Sequence, residues 1–262
     1  MSITWSYVLV GFIVGTCMAY SGVGAGAITT PLLIFLGVRT DTAIGSDLLF
    51  ALGTKIVASL AHLQKRTIQW SVLWRLSIGG LPGAIVGVII SAYLHKHMDV
   101  KQLEGVLRIA VAVALLLSAT GIILNRKLAG DVAPHGNGLP TARLGIIGFF
   151  VGLCVSITSI GAGSLTLPLL LVVAPMVALR RLVGTDLAFA VVVLVPSLIG
   201  HLKIGDVNPT ISASLLIGSI PGVFVGSYFV TKLPERWVRG ALAGVLVVVA
   251  LALLPILPHA KG

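Results

Sequence analysis

Charge is scarce in this sequence. Only 10% of its 262 residues are Asp, Glu, Lys or Arg, and just eight of them are acidic. That is too little charge to coat a water-soluble globule of this length, which excludes an ordinary soluble domain. Aromatics are also few, at 6%, and none interleave with the basic residues, which argues against nucleic-acid binding. The two cysteines, Cys17 and Cys154, both sit inside apolar stretches and say little about redox compartment. H-E-x-x-H, clustered acids, cysteine-rich metal spacing and a G-x-S-x-G elbow are all missing, so no enzyme activity, metal or cofactor is expected. The N-terminus Met1 to Tyr7 lacks the basic region of a cleaved signal peptide, so the first apolar stretch is expected to stay in place.

What remains is apolar: 57% of residues are hydrophobic and the mean hydropathy is +1.09. Lipid must be the solvent for most of the chain. The 31 glycines and 12 prolines fit membrane helices, where neighbouring helices satisfy freed backbone groups. Ten apolar stretches follow one another, near 5–20, 25–38, 42–61, 70–94, 103–124, 143–157, 162–178, 182–200, 209–231 and 237–257. The second and seventh fall short of the roughly 20 residues a span needs, and are expected to be broken helices held within the protein. The expected fold is an all-α integral membrane bundle of about ten helical segments.

The two halves of the chain repeat each other. "GFIVGTCMAYSGVGAGAITTPLL" from Gly11 aligns with "GFFVGLCVSITSIGAGSLTLPLL" from Gly148, and "GSDLLFA" from Gly45 aligns with "GTDLAFA" from Gly184. His62 then matches His201, and "LPGAIVG" from Leu81 matches "IPGVFVG" from Ile220. This divides the chain into a first transmembrane repeat (1–124), a polar linker (125–141) and a second repeat (142–262). Five segments in each repeat place the two in inverted topology, with their shared motifs face to face near the midplane. The basic residues agree with that count. With the N-terminus outside, Lys65, Arg66, Arg126, Lys127, Arg143, Arg180, Arg181, Lys232, Arg236 and Arg239 fall on the cytoplasmic side, against Arg39, Lys96, Lys101, Lys203 and Lys261 opposite.

The motifs "SGVGAGAITTPLLIFLGV", "AIGSDLLFALGTKIVASLAHL", "GGLPGAIVG", "TSIGAGSLTLPLL", "VGTDLAFA" and "GSIPGVFVG", in this order, resemble the TauE/SafE sulfite exporter family, also called the toluene sulfonate uptake permease family. The resemblance covers nearly the whole chain. It implies a multi-pass carrier in a bacterial-type plasma membrane, moving sulfur-containing anions such as sulfite, sulfoacetate or other organosulfonates, coupled to protons and working in export. The run Gly24-Ala25-Gly26-Ala27 is less glycine-dense than in many members, so the substrate at that loop is open.

Several residues carry chemistry, each beside a plainer reading. Gly24, Ala25 and Gly26 before Thr29 and Thr30, and Gly161, Ala162 and Gly163 before Ser164 and Thr166, suit two helix starts in mid-membrane whose N–H groups and hydroxyls converge on an anion. Glycines can equally serve close helix packing. Lys55 lies inside an apolar segment on one face with Ser59 and His62; it attracts the substrate, snorkels to an interface, or pairs with Asp47 or Asp186. Its counterpart in the second repeat is Leu194. Asp47 and Asp186 read as helix-start caps or proton carriers. His62 and His201 read as gate or relay groups, or as interfacial histidines with one satisfied hydrogen bond. Buried cysteine is usually a small apolar residue, and Pro82 and Pro221 are expected to kink the fourth and ninth helices.

The expected mechanism is alternating access, by rocking or sliding of one half against the other. The partners are a small anion, a coupling proton and the bilayer, and a homo-oligomer is compatible with the sequence. An anion channel and an importer of a different small oxyanion are the alternatives.

Overall fold

A computed structural model describes residues 5–21, 26–128, 141–174, 177–229, 244 and 246–253. Nine helices run in order along these residues: α1 (Trp5–Ser21), α2 (Gly26–Phe35), α3 (Thr40–Gln64), α4 (Trp70–His97), α5 (Val100–Leu128), α6 (Thr141–Thr158), α7 (Thr166–Val173), α8 (Leu179–Ile204) and α9 (Pro209–Phe229). Residues 246–253 form part of a further helix. No strand occurs among the described residues. Five of the helices, α3, α4, α5, α6 and α8, are long and apolar enough to cross a membrane. The chain is a multi-pass, all-α membrane protein.

Helix α2, with 10 residues, is about 15 Å long and α7, with 8, about 12 Å, against a hydrocarbon core of roughly 30 Å. Neither crosses alone. Helix α7 is shorter than the apolar stretch 162–178 because the chain leaves α6 through positive-φ positions, Ser159 (60°), Gly161 (141°) and Gly163 (95°), which an α-helix cannot contain. Thr158 Oγ1 accepts the Ile160 N–H at 3.1 Å, and Gly161 O accepts the N–H groups of Leu165 and Thr166, so backbone groups freed by the break find partners within it. Pro168, the third residue of α7, has no N–H to leave unsatisfied.

Helices α1 and α9 pack together closely, and so do α4 and α6. Glycines make both contacts. A Cβ on Gly79 or Gly83 of α4 would run into the carbonyl oxygens of Gly145 and Phe149 on α6, and one on Gly218 or Gly222 of α9 into those of Val8 and Phe12 on α1. This is the small-residue packing of membrane helices, in which backbones approach because no side chain intervenes. Both pairs join one half of the chain to the other.

Helices α3 and α8 pack against each other at the centre. They run antiparallel, since Gly45 near the start of α3 abuts Asp206 just past the end of α8, while Gly184 near the start of α8 abuts His62 and Thr67 at the end of α3. Two cross-connections seal these ends: the Gln69 N–H donates to Thr185 Oγ1 at 2.9 Å, and the Asn208 N–H to Ser46 Oγ at 3.0 Å. Pro82 and Pro221 lie inside continuous helices α4 and α9. Helix α5 continues through Asn125 to Leu128 and α6 opens at Thr141, and residues 129–140 of the polar linker lie outside the described residues.

Candidate functional site

Asp47 and Asp186 lie two turns inside α3 and α8, because those helices begin at Thr40 and Leu179, before the apolar stretches do. They therefore do not cap their own helices. Each instead faces one of the short helices. Asp47 Oδ2 accepts a hydrogen bond from Thr30 Oγ1 of α2 at 2.8 Å, with Thr29 and Ser159 alongside. Asp186 Oδ1 accepts the Gly163 N–H at 3.2 Å, with the Thr166 hydroxyl nearby.

The two interruptions also meet. A Cβ on Gly26, the first residue of α2, would fall on the carbonyl oxygen of Ser159, in the break between α6 and α7, and lie 3.0 Å from Asp47 Oδ2. Gly24 and Ala25 lie outside the described residues. Thr29, Thr30, Gly163, Ser164 and Thr166 are all buried, and Ala162 is half-buried. Ser164 receives a hydrogen bond from Ser118 Oγ of α5 at 3.1 Å, a contact for which nothing in the sequence motifs gives a signal.

Lys55 is 4% exposed, so it does not snorkel to an interface. Its ammonium faces the charge of Asp186, although no nitrogen-to-oxygen contact within 4.0 Å joins it to a carboxylate among the described residues. Asp47 is fully buried and faces no such cation among the described residues. Its Oδ1 and the Oγ of Ser159 are both buried without a hydrogen-bond partner among the described residues. The repeat-related carboxylates thus sit in unlike surroundings: one opposite an ammonium, the other among hydroxyls.

The matched histidines also differ. His62 Nδ1 lies 2.8 Å from Thr67 Oγ1, and that hydroxyl donates to His62 O at 3.0 Å, so the ring nitrogen is the donor to Thr67. His201 is buried, with Nδ1 2.8 Å from Asp206 Oδ2 and Nε2 2.8 Å from Ser156 O. Ser59 is half-buried. Cys17 and Cys154 are half-buried thiols packed against the apolar core. No cluster able to hold a metal ion occurs among the described residues.

A helical membrane protein in which the start of one short helix meets the break before another, beside buried carboxylates, has the discontinuous-helix arrangement from which the sites of membrane transporters are built. Comparison with known proteins narrows this. The profile described as "Sulfite exporter TauE/SafE" matches residues 7–253, and the chain belongs to that family. A Bacillus subtilis (strain 168) protein, "Probable membrane transporter protein YjnA", is 32% identical over 257 residues, covering 95% of this chain and 99% of the relative. A second B. subtilis protein, "Probable membrane transporter protein YunE", is 26% identical over 94% of this chain and 96% of its own length. No solved structure matches the chain.

Proposed function

We propose that the chain is a secondary active transporter that moves a small sulfur-containing anion, sulfite or an organosulfonate such as sulfoacetate, across the plasma membrane together with protons, in the direction of export. The observation that carries this reading is the surroundings of Asp186. A buried ammonium and the Gly163 N–H, in the break before α7, are directed at one negative charge deep in the protein, and the protein's own carboxylate fills that position. A proton on Asp186 releases Lys55 and the Gly163 N–H to an incoming anion of the same charge. Proton and substrate are then linked, because an anion and an ionised Asp186 compete for the same partners.

Asp47 is the second proton carrier in this reading. A proton on its Oδ1, donated to Ser159 Oγ, gives both orphaned atoms a partner in one step. Gly26, Thr29 and Thr30, and Gly161, Ala162, Gly163, Ser164 and Thr166, form the two walls of the substrate site, and Gly24 and Ala25 belong to it by their place in the repeated motif. His62 and His201 stand at opposite ends of it as gate residues.

The inverted repeat, with 1–124 and 142–262 as its units, is supported by matched contacts on both sides: Gly83 on Phe149 and Gly222 on Phe12, Gln69 on Thr185 and Asn208 on Ser46. Those same contacts argue against rocking of one half against the other, since α1–α9 and α4–α6 stitch the halves together. The moving parts in this reading are the helix ends and the short helices between these two stitched pairs.

The test is flux in proteoliposomes. Sulfite movement is expected to saturate, to be driven by a proton gradient and to show counterflow. Flux that rises linearly with concentration and shows no counterflow would mean a channel, and binding or turnover of no small anion at all would end the reading.

A further inference from the structure

One group of buried titratable side chains lies away from the Asp186 site, at the end of the molecule where α3 begins and α4 and α8 finish. His95, in the last turn of α4, has Nε2 3.7 Å from Asp41 Oδ2 of α3 and 3.7 Å from Asp206 Oδ2 of the α8–α9 connection. Asp206 Oδ2 also lies 2.8 Å from His201 Nδ1. Asp41 pairs with Arg39 and accepts the Thr42 N–H at 2.6 Å. Three elements are tied here by two carboxylates and two imidazoles.

The hydrogen-bond partners count the protons. The Nδ1 of His95 lies 2.8 Å from the carbonyl oxygen of Ser91, which can only accept, so this nitrogen carries a hydrogen. If His95 were neutral, its Nε2 lone pair would face two carboxylates. A second proton turns that repulsion into attraction for both. His201 is held in the same way: Nε2 donates to Ser156 O, and one further proton must lie between Nδ1 and Asp206. His95 Nε2 and Asp206 Oδ1 are buried with no hydrogen-bond partner among the described residues, so the cluster is not a satisfied structural network.

We propose that Asp41, His95, His201 and Asp206 form a second proton-binding site, separate from Asp47 and Asp186, which latches this end of the transport path shut while both imidazoles carry two hydrogens. Loss of a proton leaves two buried carboxylates facing a neutral ring, and the end of α4 separates from α3 and the α8–α9 connection. Among the described residues, Arg39 and, from α5, Glu104 line a cavity of about 10 Å³ beside Asp41, with Glu104 paired to Arg108 at 2.7 Å, and the exposed Lys96, His97, Asp99, Lys101 and Lys203 adjoin the cluster in the sequence. His97 stacks on Tyr93 with ring centroids 4.1 Å apart, and its Nδ1 lies 3.0 Å from Tyr93 O. The site extends the transport reading without depending on the substrate.

The experiment is hydrogen exchange of the backbone amides of residues 205–208 in purified full-length protein, without anion or gradient, corrected for intrinsic base catalysis. Between about pH 5.5 and pH 9, a range in which histidine gives up its charge, the corrected exchange is expected to rise roughly tenfold or more. His95→Gln is expected to exchange fast throughout, and His95→Lys, which keeps its charge, to stay slow throughout. Corrected exchange in the wild-type protein that does not change over this range overturns the proposal, whether or not the variants fold. A pH dependence that persists unchanged in both folded variants overturns it equally. Because no anion is present, this result and the flux result above can fail independently.

Discussion

Replacing Lys55 by leucine, the residue already present at the matching position Leu194, removes the ammonium from the Asp186 site with little change of volume. Among the described residues Lys55 is the one buried lysine or arginine, so nothing nearby can substitute for it. Asp186 would keep the Gly163 N–H and lose the opposing charge. Deleting one partner of a contacting buried ion pair costs about 3–5 kcal/mol, and because Lys55 faces Asp186 from beyond 4.0 Å the loss here is expected to be smaller, with a fall in the melting temperature of Lys55→Leu. A hydrogen bond to a charged group is worth about 1.5–3 kcal/mol. On that scale sulfite affinity should drop roughly 10- to 150-fold. Calorimetric titration of detergent-purified protein with sulfite measures the second effect, and thermal melting measures the first. Adding Asp186→Asn removes the stranded carboxylate and is expected to restore stability but not affinity. Unchanged sulfite affinity in Lys55→Leu removes the lysine from the site; recovery of both properties in the double variant would mean that Lys55 only holds Asp186 in place.

Three further outcomes are expected. Gly163→Leu, at φ 95°, is expected to abolish sulfite flux in proteoliposomes, and normal flux would show that the α6–α7 break does not line the site. Gly83→Leu drives a side chain into the α6 backbone at Phe149 and should cost about 1–3 kcal/mol in detergent melts, whereas Gly105→Ala, which meets open space, should be neutral or gain up to about 1 kcal/mol. Equal melting of all three proteins would contradict glycine-mediated packing of α4 on α6. Thr30→Val removes one of the hydroxyl donors at Asp47 and should cost about 1–3 kcal/mol in the same melts; a wild-type midpoint would mean that the bond contributes nothing.

The helical spans were readable because hydropathy reports what faces lipid and core, and the stretches near 70–94 and 209–231 fall almost on α4 and α9. Backbone conformation leaves no trace in hydropathy. The stretch 162–178 therefore hid a break. The helix starts were misjudged by a few residues where Thr40, Asp41, Arg180 and Arg181 made a helical turn polar, and this alone made Asp47 and Asp186 look like caps. Two signals were present and carried more than their motifs suggested. Glycines spaced by four at 79, 83 and 87, and at 218 and 222, mark the faces of α4 and α9 that meet α6 and α1. The five-residue spacing of His62 to Thr67 recurs in His201 to Asp206, with a hydroxyl exchanged for a carboxylate. The meeting of His95 with Asp41 and Asp206 had no such signal, because it joins three elements far apart in the chain.

The partnership of α1 with α9 sets a timetable for biogenesis. A ribosome adds about 5–20 residues per second, so the first helix enters the bilayer on the order of ten seconds or more before its glycine-lined mate is made. Throughout that interval its groove must be occupied by lipid or by an insertion factor, and the chain closes on itself only once the ninth helix displaces that temporary neighbour.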